Sequence, residues 1–277
     1  MNKGKFMETA IEKKWEVYAL KYAERSDRTR KESFIFDDHS NDSHTIDYFI
    51  WVLKSDDSTI VVDTGYDYDE AKRRDRPIQR SPSEALKSIN IDANEVTDVI
   101  ITHLHYDHAG GLMEFPKAKF HMQESEMAYA TGPCMCHETI KMPFTGEHVC
   151  QMVKNVFSGR VNFYKGVGSI HSGVTVHLIG GHSRGLQSVR VKTESGYMCL
   201  ASDATHFYEN FITGKPFPIV VDLEEMLNGF ETIKELASND SLVIPGHDPL
   251  LKDFFPSEGN SGFVWRLDKG PIKPIKF

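Results

Sequence analysis

Thr102-His103-Leu104-His105-Tyr106-Asp107-His108-Ala109-Gly110-Gly111 places three imidazoles and one carboxylate within six consecutive residues, directly after the apolar run Val99-Ile100-Ile101. Imidazole nitrogen and carboxylate oxygen are the ligand types that borderline divalent cations accept. In an extended or loop conformation the i, i+2 spacing points His103 and His105 the same way. Asp107 and His108, at the turn, are then placed for a second ion a few ångströms away. Three more candidates each follow an apolar strand: His182 after Ile179-Gly180-Gly181, Asp203 after Cys199-Leu200-Ala201-Ser202, and His247 after Ile244-Pro245-Gly246. A metal-free histidine-rich loop, or buried imidazoles satisfied by carbonyls, requires neither the glycines after His108 nor these three distant strand-end residues.

Outward from this stretch the chain alternates short apolar runs with turns. Val17 to Tyr22, Thr45 to Leu53 and Thr59 to Val62 read as opening strands, the last ending at Asp63-Thr64-Gly65. Ser83 to Ile89 has helical spacing, Val99 to Ile101 reads as a buried strand, and a short helix, a strand near Lys119 to Met122 and a helix from Glu124 to Tyr129 follow. Residues 131–155, with Gly132-Pro133, Pro143 and Gly146, read as an irregular excursion over a substrate site. A second strand series runs at Arg160 to Tyr164, Val174 to Ile179, Ser188 to Lys192 and Tyr197 to Ala201. A helix from Leu223 to Leu236 and a strand at Leu242 to Ile244 complete it. Two strand-rich halves suit two sheets face to face with helices outside, an α/β (α+β) architecture, and residues 1–277 are expected to form one domain.

The balance of 40% hydrophobic and 26% charged residues, with 11% aromatic, is that of an ordinary globular chain. With 32 basic against 40 acidic residues the formal charge is −8, and no basic stripe stands out, so nucleic acid is not an expected partner. Met1 to Trp15 lacks the apolar core of a signal peptide, and no stretch has the apolar length of a membrane span. Cysteines 134, 136, 150 and 199 read as reduced thiols of a cytoplasmic protein, because Cys134-Met135-Cys136-His137 has no second ligand pair to make a zinc knuckle.

HLHYDHAGG resembles the H-x-H-x-D-H signature of the metallo-β-lactamase superfamily, and GGHSRG, SDAT and PGHD resemble its later metal-binding segments in the same order. The resemblance covers about Asp47 to His247 and implies a four-layer αββα sandwich with metals at one edge of the sheets. It implies that His103, His105 and His182 hold one ion, that Asp107, His108 and His247 hold the other, and that Asp203 bridges them. Asp63 matches the carboxylate that orients a ligand imidazole. The implied cofactors are two divalent ions, zinc first, with iron, manganese or cobalt as alternatives.

Within the superfamily, HLHYDHAGG, PGHD, DTGYDYD from Asp63 and SDATHFYENF from Ser202 look like the N-acyl homoserine lactonases. The implied reaction opens a lactone ring by attack of metal-bound hydroxide on the ester carbonyl, with Asp107 passing a proton to the leaving group. The alternative is another hydrolase on the same scaffold, acting on thioesters as glyoxalase II does, on phosphodiesters, or on cyclic amides or imides; the acidic balance of the chain counts against phosphodiesters. The lactonase pattern has a tyrosine three residues after the bridging aspartate, and here His206 stands there, with Tyr208 two residues on. His206 either keeps that role, marks a different substrate, or packs structurally. Arg184 takes a place where proline is usual, pointing to substrate or to solvent. For an acyl tail, Met113, Phe115, Met135, Met142, Phe144 and Phe207 are candidate groove residues beside their commoner reading as core. The expected partner is a small acylated lactone, and a homodimer is left open.

Overall fold

The computed structural model describes residues 12–275, so most of the amino-terminal stretch read for a signal peptide lies outside them. The first half supplies strands β1 (Glu16–Arg25), β2 (Ile46–Lys54), β3 (Thr59–Val62), β4 (Asp98–Ile100), β5 (Lys119–Gln123) and β6 (Val161–Tyr164). The second supplies β7 (Val167–His171), β8 (Val174–Leu178), β9 (Gln187–Lys192), β10 (Tyr197–Ser202) and β11 (Val243–Pro245), and β12 (Val264–Arg266) returns to the first sheet. The sheets run β12-β1-β2-β3-β4-β5-β6 and β11-β10-β9-β8-β7. Pairing is antiparallel from β12 to β3 and parallel from β3 to β6, while in the second sheet only β10 and β11 are parallel.

Strand β2 explains the layering. Its residues are buried from Ile46 to Leu53, which alternation would forbid in a strand with one wet face. Phe49, Trp51 and Leu53 join the core between the sheets with Val176, Val189 and Leu200, while Tyr48, Ile50 and Val52 join a second core under the helices. Each such aliphatic side chain stabilises the fold by about 1.5–3 kcal/mol. That second core is roofed by α1 (Tyr68–Arg74), α2 (Pro82–Lys87), α3 (Tyr106–Ala109), α4 (Glu124–Ala130), α5 (Glu138–Lys141) and α6 (Gly146–Phe157), and α7 (Tyr208–Thr213) follows β10. The helix α8 (Leu223–Leu236) covers the other sheet through Met226, Phe230 and Ile233, and α9 (Leu251–Phe254) follows β11. The result is the expected sandwich of helix, sheet, sheet and helix.

Residues 131–155 depart from expectation. They hold a 3-10 turn at Pro133–Cys136, then α5, then most of the twelve-residue α6, whose buried His148, Val149, Met152 and Asn155 form one helical stripe. Gly132, Pro143 and Gly146 mark the ends of these pieces rather than a lack of structure. Strands β7 and β12, and helices α1 and α7, were not expected. In β7, Gly168 and Ser169 dilute the strand signal, yet a side chain at 168 would overlap the Tyr164 ring, its Cβ falling 2.1 Å from Cδ1.

Candidate metal centre

The candidate ligands sit in the loops beyond strand ends, except Asp107 and His108, which lie in the short helix α3 that follows β4. Strand β3 stops at Asp63 and β10 at Ser202, both in left-handed backbone with φ of 63° and 49°. Left-handed non-glycine residues of this kind concentrate at functional sites. Parallel pairing of β10 and β11 sets the Asp203 and His247 loops side by side, locked by Gly246 N–H to Thr205 O at 3.0 Å and His247 N–H to His206 O at 3.0 Å. Gly246 is forced, since a Cβ there would lie 2.7 Å from Asp203 Oδ1. Gly111, behind α3, is forced likewise, its virtual Cβ 2.4 Å from the Thr64 carbonyl.

The seven side chains converge in two groups. His103, His105, His182 and Asp203 offer donor atoms all within 4.8 Å of one another, as do Asp107, His108 and His247. Asp203 straddles both: Oδ2 lies 3.2 Å from His182 Nε2 and 3.7 Å from His103 Nε2, and Oδ1 lies 3.0 Å from His247 Nε2 and 3.3 Å from His108 Nε2. Outer hydrogen bonds set the rings. His182 Nδ1 donates to Ile219 O at 2.7 Å, His247 Nδ1 to Asp47 O at 2.9 Å and His108 Nδ1 to Asp63 Oδ2 at 2.7 Å. Each bond fixes a proton on Nδ1 and turns Nε2 inward, the orientation in which an imidazole binds metal once Nε2 is free of its proton. Asp63 also accepts from Thr102 N–H and Thr102 Oγ1, both at 2.8 Å.

Burial and neighbouring imidazoles push His103 and His105 well below the usual histidine range, so both are neutral. Burial also opposes charge on His108 and His247, but Asp203 and the other carboxylates outweigh it and raise both. Burial likewise works against an ionised Asp203, yet the surrounding imidazoles hold it well below the usual carboxylate range. His103 Nε2, His108 Nε2 and Asp203 Oδ1 are buried without a hydrogen-bond partner. Such groups are costly to bury, and an imidazole/carboxylate set of this kind fits a pair of divalent cations.

His206 joins the cluster. Its Nε2 is 3.0 Å from Asp203 Oδ2, its ring lies flat on Phe217 at 3.5 Å between centroids, and burial drives its pKa down to about 3. Asp203, His206 and His247 form a third group of convergent donors. The structure does not bring Tyr208 to this cluster. The residue opens α7, which turns its ring into the core against Phe254 at 5.4 Å. Arg184 is exposed over the Tyr129 ring, on the solvent side.

A cavity of about 340 Å³ opens onto His105, Asp107, His182, Asp203, His206 and His247. Of the six groove candidates only Met142 lines it. Phe115 and Phe207 are core, Phe144 packs its ring on His105 at 4.6 Å, Met113 is surface and Met135 lines a neighbouring hollow. The cavity wall is instead Tyr48, Tyr106, Phe217 and Ile219, with Arg25, Arg28, Lys31 and Arg76 and one carboxylate, Glu32, at its rim. Sequence reading also missed Glu126, fully buried on α4. It accepts from Leu104 N–H at 2.9 Å, Ser183 Oγ at 2.6 Å and Gly185 N–H at 2.9 Å, joining the His103–His105 loop to the His182 loop. A lone glutamate in an amphipathic helix carries no signal for that role.

A four-layer sandwich whose strand ends gather two His/Asp groups around one shared carboxylate is the scaffold of a metal-dependent hydrolase. The chain belongs to the metallo-β-lactamase superfamily, whose profile matches residues 47–247. It is 28% identical over 167 residues to the N-acyl homoserine lactonase AiiA of Bacillus thuringiensis subsp. kurstaki, a match covering 59% of this chain and 60% of the relative. An N-acyl homoserine lactone hydrolase with the product N-hexanoyl-L-homoserine at its catalytic metal centre superposes with a TM-score of 0.72 at 20% identity, over 88% of this chain and 96% of the other. AidC, a dizinc quorum-quenching lactonase, gives 0.69 at 14% identity, over 96% and 97% of the two chains.

Proposed function

We propose that the chain is a hydrolase dependent on two divalent metal ions, zinc first, that opens a lactone ring, with N-acyl homoserine lactone as the leading substrate class. The observation that carries this reading is Asp203, one oxygen turned to each histidine group beside a cavity of small-molecule size. Bound there, two cations supply Lewis acidity and a lowered pKa for water. His103, His105 and His182 would hold one and Asp107, His108 and His247 the other, with Asp203 shared. Water oxygen bonds to the ester carbonyl carbon, the ring C–O bond breaks, and the departing oxygen takes a proton, leaving a hydroxy acid. Asp107, the least buried of the seven at 8% exposure, faces the cavity and is placed to carry that proton. His206, neutral at working pH, donates its N–H to the Asp203 carboxylate at 3.0 Å and would hold that shared ligand in place. The four free cysteines fit a reducing, cytoplasmic setting.

One observation favours a second reading. The overall acidity counted against phosphodiesters, but the cavity rim is basic, and that suits a phosphate ester. The deciding experiment measures metal content, then assays a γ-lactone panel, thioesters and phosphodiesters before and after chelation. Two bound ions with chelator-sensitive lactone opening support the proposal. Phosphodiester cleavage without lactone opening supports the second reading, and absence of metal refutes both.

A further inference from the structure

We propose that the substrate is anionic, carrying a carboxylate or phosphate group away from the scissile bond that docks on Arg28 and Arg76. The inference deepens the lactone reading and rests on it for the identity of the reacting group.

The rim cations are placed in the wall of the reacting cavity itself, whereas Arg30, Arg73, Arg74 and Arg266 are held by carboxylates outside it: Arg30 by Asp37 and Glu209, Arg73 and Arg74 by Glu70, Arg266 by Glu16 and Asp268. Arg28, only 5% exposed, instead donates to neutral groups, Ser33 Oγ at 3.1 Å and the Glu32 carbonyl at 2.6 Å. The Glu32 carboxylate stays 3.8 Å from its Nε and is engaged by Thr29 N–H at 2.9 Å. Arg76 donates to the Tyr106 hydroxyl and makes no ion pair among the described residues, nor does Lys31. Arg25 alone has a close carboxylate, Asp27 at 3.0 Å. A guanidinium has five N–H groups, so Arg28 and Arg76, in the cavity wall, keep donors beyond these bonds for an oxyanion.

Their placement relates them to the reacting centre. Arg28 lies 5.8 Å from the Phe217 ring centroid, and Phe217 stacks on His206. Arg76 bonds Tyr106, whose hydroxyl reaches Tyr48 at 3.3 Å, and Tyr48 packs its ring on His247 at 5.3 Å. Arg28 thus stands one aromatic ring outside His206, and Arg76 two rings outside the candidate ligand His247. A substrate with its ester at the His/Asp groups and a short tail toward the rim would bring the tail's end to these cations.

The test compares N-pentanoyl- and N-glutaryl-homoserine lactone, matched in length but ending in methyl or carboxylate, with a terminal phosphonate analogue as the third arm. The metal-loaded wild type is expected to prefer an anionic tail by at least about tenfold in kcat/KM, with the carboxylate and phosphonate arms telling the two anions apart. Arg28→Met and Arg76→Met should bring the ratio toward one, and Arg28→Lys, which keeps the charge where Arg28→Met fails to fold, should retain part of it. Calorimetric binding of N-glutaryl-homoserine against N-pentanoyl-homoserine reads the same preference without turnover. A binding preference without lactone opening sinks the reaction reading and leaves this one standing. Tails handled within about threefold of each other, or a preference that survives both methionine substitutions, overturn it.

Discussion

Asp63→Asn tests how the outer hydrogen bonds set the metal ligands. Asparagine accepts left-handed backbone, so the φ of 63° adds no strain and the fold should persist. The amide must keep its oxygen on Thr102 N–H, where the carboxylate accepts at 2.8 Å, and its NH2 then faces Thr102 Oγ1 and His108 Nδ1. His108 can accept that contact only with its proton on Nε2, the atom turned toward Asp203. The ligand tautomer in the variant lacks the bond that the Asp63 carboxylate accepts from His108 Nδ1 in the wild type, a hydrogen bond to a charged acceptor of about 1.5–3 kcal/mol. That converts to roughly 10–150-fold weaker binding at one site, consistent with about 10–100-fold for outer partners of metal ligands generally. Competition with a chromophoric chelator should resolve one weakened and one retained site, while the metal-free variant should melt close to the metal-free wild type. Two sites of unchanged affinity would refute the tautomer argument.

Three further outcomes are expected. His206→Ala should lower kcat on lactones by about 10–100-fold, whereas Met113→Ala, at a side chain 72% exposed, should leave it within a few fold; equal, small effects would make His206 structural. Gly246→Ala, which must displace the Asp203 carboxylate or the Ser202 backbone, should lose metal on dialysis, and full retention of both ions would contradict the contact argument. Burial alone would raise Glu70, but Arg73, Arg74 and Thr145 outweigh it and depress its pKa to about 2. The folded-state value is therefore below the unfolded one, and the stability it contributes is present above the unfolded pKa and lost as pH falls toward 2. The urea-unfolding difference between wild type and Glu70→Gln should be largest at neutral pH and shrink by roughly half or more by pH 3; a pH-independent difference would refute the assignment.

What the sequence made legible follows from local pattern. The run from His103 to His108 is dense enough to declare itself, and the later ligands stand at the tips of apolar strands, where a polar residue is conspicuous. What it hid depends on side-chain direction and long-range contact. Tyr208 lies two residues from His206, yet the start of α7 sends the two side chains to different surroundings, one to the core and one to the cavity. Phe115 and Phe207 carry no mark separating a groove wall from a core, and burial decided for the core. Helix α6 was obscured by glycine and proline at the edges of its neighbourhood, although its own stripe of His148, Val149, Met152 and Asn155 is helical.

The charge of the site is the clearest case of a whole-chain sum misleading a local inference. A net −8 counted against phosphodiesters, but that total is spread over a surface where most charges are solvated and screened within about 10 Å. The rim draws its cations from two segments far apart in sequence, Arg25 to Lys31 from the end of β1 onward and Arg76 beyond α1, and only folding concentrates them. Within the cavity the carboxylates of Asp107 and Asp203 belong to the ligand groups, and two divalent ions would more than neutralise them. With both ions bound, the four rim cations would outnumber the one remaining carboxylate, Glu32, between the low-dielectric walls of Tyr48, Tyr106 and Phe217. A chain acidic on average can therefore present a locally basic mouth, which is the basis of the anionic-substrate proposal.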